Sequence, residues 1–231
     1  MSSSLQNVTV VLVHGAWADG SSWAEVILPL EKERLQVVAA PIPLTSLSDD
    51  AAMLKRTVAR TKGPLILAAH AYAGAVIATA TEERVRALAY IAALAPDEGE
   101  TVAEVFYRDE PHPLAPKLAP DADGLIWMPE VGFANAFAQN ATATQIALSK
   151  AVQRPIALKS IQEPAPKPAW KSKPSWFLIA EQDRMINPKT QRFMAERMKA
   201  TIHSREVDHT PLLTAPGEVV KTILEAARAS L

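Results

Sequence analysis

Two short runs, Val8–Val13 (VTVVLV) and Leu65–Ala69 (LILAA), are apolar at nearly every position instead of every second one. A half-buried strand needs only one apolar face. A near-continuous apolar run needs two, a condition met in parallel sheets covered by helices on both sides. The first run stops at His14-Gly15 and leads into a helix expected over Ser22–Glu33, with Ser21 or Ser22 as its cap. A second strand, Leu35–Ala39, ends before Pro41 and Pro43, which cannot continue a central ladder. Ser48 or Asp49 then opens a helix reaching Arg60, and Gly63-Pro64 marks the turn into Leu65–Ala69. A helix over Tyr72–Glu82 and a fourth strand over Val85–Ala92 follow. The pattern returns later as strand Ser175–Ala180, helix Lys189–Lys199, strand Ile202–Val207 and helix Pro216–Ala229. Strands separated by helices of this length predict βαβ units, right-handed crossovers and an α/β fold with a parallel sheet.

The alternation lapses between residues 95 and 173, where prolines recur (PHPLAP, KLAP, EPAPKPAW) beside short helical pieces such as Ala143–Val152. That stretch is too long for a simple connection. Its Trp127, Phe133, Phe137 and Ile146 argue for packing. It reads as a helical cap inserted after the fourth strand, leaving 1–94 and 174–231 as the core of one compact domain. A chain of 231 residues suits a single α/β domain.

Charge and composition narrow the function. The net charge is −1 and no basic run occurs, which removes the electrostatic reason for a nucleic acid or anionic membrane partner. There is no cysteine, so disulfides, thiolate catalysis and cysteine-based zinc sites are excluded. The five histidines lack HExxH or comparable spacing, so neither a metal nor another cofactor is expected. No stretch approaches the roughly 20 apolar residues of a membrane span. The amino terminus lacks a basic segment, and Val8–Val13 is too short for a signal peptide. A cytoplasmic protein is the expectation, with a homodimer left open.

The chemistry is concentrated in LILAAHAYAGAVIA, Leu65–Ala78: an apolar strand, a tight turn and a small-residue helix. This is the setting of a nucleophile elbow, G-x-S-x-G, in which strand and helix backbones crowd together and demand small neighbours. Here the five positions read Ala69-His70-Ala71-Tyr72-Ala73. Ala69 and Ala73 are conservative there. Ala71 is not, because it removes the hydroxyl. The loop HGAWADGSSW, His14–Trp23, follows the first strand and lets the amide of Ala16 pair with that of Tyr72 as an oxyanion hole. The side chains of His14 and His70 are read as buried and structural.

A carboxylate and a histidine complete the pattern. Asp183 lies just past the strand in FLIAEQDRMINP, where open α/β sheets place their sites, with Glu181 and Asp97 as alternatives. His209, in EVDHTPLL, follows the last strand. The order nucleophile position, acid, histidine is that of an α/β-hydrolase triad and differs from the chymotrypsin and subtilisin orders.

With VLVHGAWADGSSW, AHAYAGAVI, DRMINP and VDHTPL in place, the chain resembles the α/β-hydrolase superfamily, in its small cofactor-free esterase and hydroxynitrile-lyase group. The resemblance spans Val8 to Leu231, with the cap matched only in position and size. It implies an α/β-hydrolase fold of about six parallel strands, without the amino-terminal hairpin of larger members. It also implies serine where Ala71 stands, Asp183 as acid, His209 as base, and Ala16 and Tyr72 as oxyanion donors.

A methyl group at 71 precludes an acyl-enzyme. Two origins of the alanine compete: a deliberate Ser→Ala change, or a natural pseudoenzyme that binds without hydrolysing. The persistence of acid, base and oxyanion loop favours the first. A different chemistry keeps His209 as a base without covalent catalysis, as in lyases and cofactor-free oxygenases. The expected substrate is a small, largely apolar ester or lactone under the cap. Trp17, Trp127, Phe133, Phe137 and Tyr107 are candidate walls, and Ser22, Ser21 or Asp19 a polar contact.

Overall fold

The computed structural model describes residues 5–230; Met1–Ser4 and Leu231, at the ends of the expected core segments, lie outside the described residues. Six strands form one parallel sheet: β1 (Thr9–Val13), β2 (Gln36–Ala40), β3 (Leu65–His70), β4 (Val85–Ile91), β7 (Ser175–Ala180) and β8 (Thr201–Arg205). Their order is β2-β1-β3-β4-β7-β8. Every residue of β1, β3 and β7 is buried, as expected of strands sandwiched between two helical layers.

Successive side chains point to opposite faces, and each face builds its own core. Val10, Leu12, Ile66, Ala68, Trp176 and Leu178 pack with helices α1 (Ala24–Lys32) and α10 (Pro216–Ala229). Val11, Val13, Leu67, Tyr90, Phe177 and Ile179 pack on the other side. There they meet α2 (Leu47–Ala59), α3 (Ala73–Ile77) and α8 (Pro188–Arg197).

Between β4 and β7, neighbours in the sheet, runs the long excursion. It contains α4 (Val102–Phe106), a two-stranded antiparallel pair β5 (Leu125–Ile126) and β6 (Ile156–Ala157), and α5 (Glu130–Gly132). A π-helical turn over Phe133–Phe137 follows, then α6 (Ala143–Ala151) and α7 (Leu158–Gln162). The small sheet adds to the helical cap expected here; two-residue strands leave no periodicity to read. Phe133, Phe137, Ile126 and Ile156 join the same core as Val13 and Tyr90, so the excursion packs directly onto the sheet.

Three local expectations need correction. The helix expected over Ser22–Glu33 begins with a 3₁₀ turn, Gly20–Trp23, and becomes α-helical only at Ala24. Its turn is capped by Asp19, whose Oδ1 accepts from the Ser21 amide at 2.8 Å, and not by Ser21 or Ser22. The helix expected to open at Ser48 or Asp49 begins at Leu47, with Ser46 Oγ accepting from the Asp49 amide. The helix expected over Tyr72–Glu82 ends at Ile77, where Thr79 Oγ1 donates back to the Val76 carbonyl and the Ala169 amide captures that of Ala78. The last connection carries one more short helix, α9 (Pro211–Thr214).

The chain passes from β1 to β2 on one side, then crosses back over β1 to β3 on the other, and this reversal of strand order opens a crevice at the carboxyl ends of β1 and β3. There is little room in it. A Cβ added to Gly15 would lie 3.0 Å from both Ala71 Cβ and the His70 carbonyl.

Candidate active site

Ala71 sits at the sharp junction of β3 and α3 with φ +51°, a left-handed backbone that a non-glycine residue adopts only when its surroundings hold it there. Three backbone bonds do so. Its amide donates to Ile91 O (3.3 Å), and its carbonyl accepts from Gly74 (3.1 Å) and Leu94 (2.9 Å). Ala69 and Ala73 are fully buried, as a crowded elbow requires. The tightest approach belongs to Gly74, whose added Cβ would meet Leu94 O at 2.2 Å.

Asp183, just past β7, and His209, in the loop after β8, are brought together across the sheet edge. Both side chains are buried, and His209 Nδ1 donates to Asp183 Oδ2 at 2.8 Å. The carboxylate is saturated with donors. Oδ1 accepts from the Met185 (2.7 Å) and Ile186 (2.8 Å) amides, and Oδ2 also accepts from Gln191 Nε2 (2.8 Å). Gln191 is itself pinned, donating to Ile186 O and accepting from the Ala180 amide. With Nδ1–H committed to the acid, the imidazole is left with Nε2 as its basic atom. The alternative carboxylates are engaged elsewhere: Glu181 with Arg192 and Ser204, and Asp97 with Lys171.

The histidine's own loop is bolted to neighbours. His70 Nε2–H donates to the His209 carbonyl at 2.7 Å, its ring 4.8 Å from that of His209. Burial, reinforced by His209 beside it, holds His70 well below the usual imidazole range, so it serves as a neutral strut. His14 is also fully buried, its Nδ1–H donating to Gly15 O, with its basicity lowered by burial. Asp208 accepts from the Asn140 amide and from Thr214 Oγ1, and Thr210 Oγ1 donates to Phe137 O. These bonds tie the residues flanking His209 to the segment between β4 and β7. Gln191, Asp208 and Thr210 carried no signal in sequence, because each acts through a fold-dependent partner.

Ala16, Ala71, Tyr72 and His209 share the wall of one cavity of about 230 Å³. Neither the Ala16 nor the Tyr72 amide donates a hydrogen bond among the described residues. The remaining lining is overwhelmingly apolar, with Leu94, Phe106, Ile126, Ile156, Met185 and Ile186 among it. Trp17 belongs to this wall; its backbone, at φ +58°, bonds to Arg154 O and its Nε1 to Ile126 O. Tyr107 lines it as well, 55 % exposed.

Other expected contacts fall outside the cavity. Trp127 is 47 % exposed and its indole donates to Asp121. Phe133 is wholly buried, packed edge-on against Phe137. Ser22, Ser21 and Phe137 border a separate cleft on the other side of Trp17, and Ser22 Oγ donates to Asp19 O. Asp19 is occupied capping its own turn. Aromatic and hydroxyl residues near a site in sequence do not disclose which way they turn. Among the described residues no group of three or more His, Asp or Glu side chains is placed to hold a metal ion. No helix there is long and apolar enough to cross a membrane.

A family model described as the alpha/beta hydrolase family matches residues 10–222. Among solved structures, polyneuridine aldehyde esterase superposes with a TM-score of 0.83 at 18 % identity, covering 95 % of this chain and 99 % of that one. A pyrethroid hydrolase from Sphingobium faniae gives 0.80 at 19 % identity, over 96 % and 98 % of the two chains. A methylesterase from Arabidopsis gives 0.77 at 15 %, over 95 % and 98 %. At such identities the likeness is one of fold. No curated protein sequence matches. With its six-stranded parallel sheet and a family match over most of its length, the chain belongs to the alpha/beta hydrolase family.

Proposed function

We propose that this is the scaffold of a carboxylic ester hydrolase for small, largely apolar esters or lactones, and that in its present form it binds such molecules without acyl transfer. The observation carrying this reading is the buried 2.8 Å pair of His209 and Asp183, whose histidine shares the cavity wall with Ala71. With serine at 71, His209 Nε2 would take the hydroxyl proton as the oxygen attacked the carbonyl carbon. Asp183 would stabilise the imidazolium and the amides of Ala16 and Tyr72 the oxyanion. The proton would then pass to the departing alkoxide, and water would release the acid by the same steps. With a methyl group at 71, no bond to the acyl carbon can form. Structural neighbours named as polyneuridine aldehyde esterase, a methylesterase and a pyrethroid hydrolase support an ester as the substrate class. The apolar lining supports an apolar one.

The test is Ala71→Ser assayed on short p-nitrophenyl and aryl esters. A gain approaching the roughly 10⁶-fold that a nucleophile supplies in a comparable hydrolase is expected. A folded Ala71→Ser protein with no esterase activity overturns the reading.

The same intact pair supports a second reading, because a hydrogen-bonded base needs no nucleophile to remove a proton from a bound substrate. Proton abstraction by His209 would make the alanine form a lyase or a cofactor-free oxygenase. Turnover by the unaltered chain with a deuterium isotope effect, abolished in His209→Ala, would favour it. Tight binding without turnover in both the alanine and serine forms would instead indicate a pure binding protein.

A further inference from the structure

Tyr72 lines the cavity, and its phenol is bonded to a carboxylate inside the protein. Its phenol donates to Asp50 Oδ2 at 2.6 Å, and both residues are buried. The other carboxylate oxygen, Oδ1, accepts from the Leu44 amide at 2.7 Å. Leu44 is held at φ +64°, and its carbonyl accepts from the Ala157 amide of β6 at 2.9 Å. The next residue back in β6, Ile156, lines the cavity, as does Leu158 after it. Burial first, and the Asp50 carboxylate beside it, hold the Tyr72 phenol well above its usual range, so it stays a donor; on α7 the fully buried Ser160 hydroxyl has no hydrogen-bond partner among the described residues.

One buried carboxylate therefore ties together three pieces that meet only in the fold: the residue after the elbow, the loop after β2, and the edge of the segment that covers the cavity. Keeping a carboxylate there is unfavourable. Burial raises Asp50 from the ordinary 3.8 to about 6. A neutral residue would pack at lower cost, so stability alone does not account for it.

We propose that Asp50 is a positioning residue for the oxyanion site, acting through the Tyr72 phenol to fix the Tyr72 amide and through Leu44 to fix the cavity edge at β6. The elbow explains why such a brace is useful. Helix α3 is only five residues long, and the left-handed Ala71 precedes it. The amide at 72 thus sits on a short, strained turn whose direction depends on what anchors the side chain. Preorganised donors stabilise developing charge only when they are already aimed. The proposal rests on the reading of the Ala16 and Tyr72 amides as anion donors, and it does not need a nucleophile at 71.

The alanine form allows a test without turnover. Binding of phenylacetate, whose carboxylate mimics the oxyanion, is compared with binding of ethylbenzene, which fills the same apolar space, by tryptophan fluorescence at pH 7.5. In Asp50→Asn, phenylacetate affinity is expected to fall about tenfold, roughly the worth of one well-aimed hydrogen bond. Ethylbenzene affinity is expected to stay within twofold. The sign is diagnostic, since removing a negative charge by itself favours an anion. Tyr72→Phe, which deletes only the phenol oxygen, is expected to give the same selective loss and serves if Asp50→Asn does not fold. Equal losses for both ligands, or none for either, overturn the proposal and leave Asp50 a structural residue. If phenylacetate does not bind the unaltered chain at all, the oxyanion reading fails and takes the proposal with it; binding that is indifferent to both substitutions overturns the proposal alone.

Discussion

His209 and Asp183, 26 residues apart and on separate connections, hold each other at 2.8 Å in full burial beside an alanine that has no hydroxyl for them to activate. An acid and a base of this kind carry an energetic burden when buried, and both depend on further partners to stay in place. Their burial beside Ala71 makes the neighbourhood a sensitive probe of what each partner contributes.

Gln191 is the first such partner. Replacing it with leucine removes a donor from Asp183 Oδ2 and leaves the Ala180 amide without its acceptor. Gln191→Leu is expected to destabilise the fold by about 1–3 kcal/mol in urea denaturation. Placed on Ala71→Ser, it is expected to lower kcat more than it raises KM, because the imidazole is less firmly oriented.

The glycines at positions 74 and 217 predict opposite outcomes for the same substitution. Gly74→Ala drives a Cβ to 2.2 Å from a backbone carbonyl that cannot swing away, and a loss of about 1–3 kcal/mol is expected. Gly217 lies in the first turn of α10 with nothing within 4 Å. Gly217→Ala is expected to gain up to about 1 kcal/mol through helix propensity and a restricted unfolded chain. Thermal unfolding of the two variants checks both signs.

Asp50 predicts a pH dependence of stability. Its folded-state value is raised from 3.8 to about 6, by burial first, while bonds from Tyr72 and Leu44 oppose the rise, Asp49 adds to it and Arg154 lowers it. A raised acid stabilises the fold fully below about pH 4, and that contribution disappears as the pH climbs through 6. The loss is on the order of 3 kcal/mol. Asp50→Asn is expected to remove the fall in stability between about pH 4 and 6 and to leave the slope of the curve unchanged outside that window. A denaturation midpoint series across that window reads the difference.

Leu158 tests which space holds the ligand. It is half-buried on the cavity wall at the start of α7. Leu158→Trp is expected to weaken ethylbenzene binding at least tenfold, while Trp127→Ala, on the surface, leaves it unchanged. Fluorescence titration of both variants separates the cavity from the neighbouring cleft behind Trp17.

Much of this molecule is written locally in its chain. The unbroken apolar runs of β1 and β3 require a two-sided sheet, and helices between strands require parallel crossovers. The small residues around Ala71 mark a tight turn between strand and helix. The ends of strands are local features too, so Ala71, Asp183 and His209 were legible as residues just past β3, β7 and β8. Hydropathy periodicity, however, says only which face of an element is buried, not what it meets. The tertiary structure alone decided that Asp183, and not Glu181 or Asp97, receives the histidine. It also turned Trp17 into the cavity while leaving Trp127 in solvent, and set Gln191, Asp208 and Asp50 behind the site. Each of those choices is a contact between side chains far apart in sequence. Such contacts exist only once the crossovers have closed and the segment between β4 and β7 has packed down on the sheet.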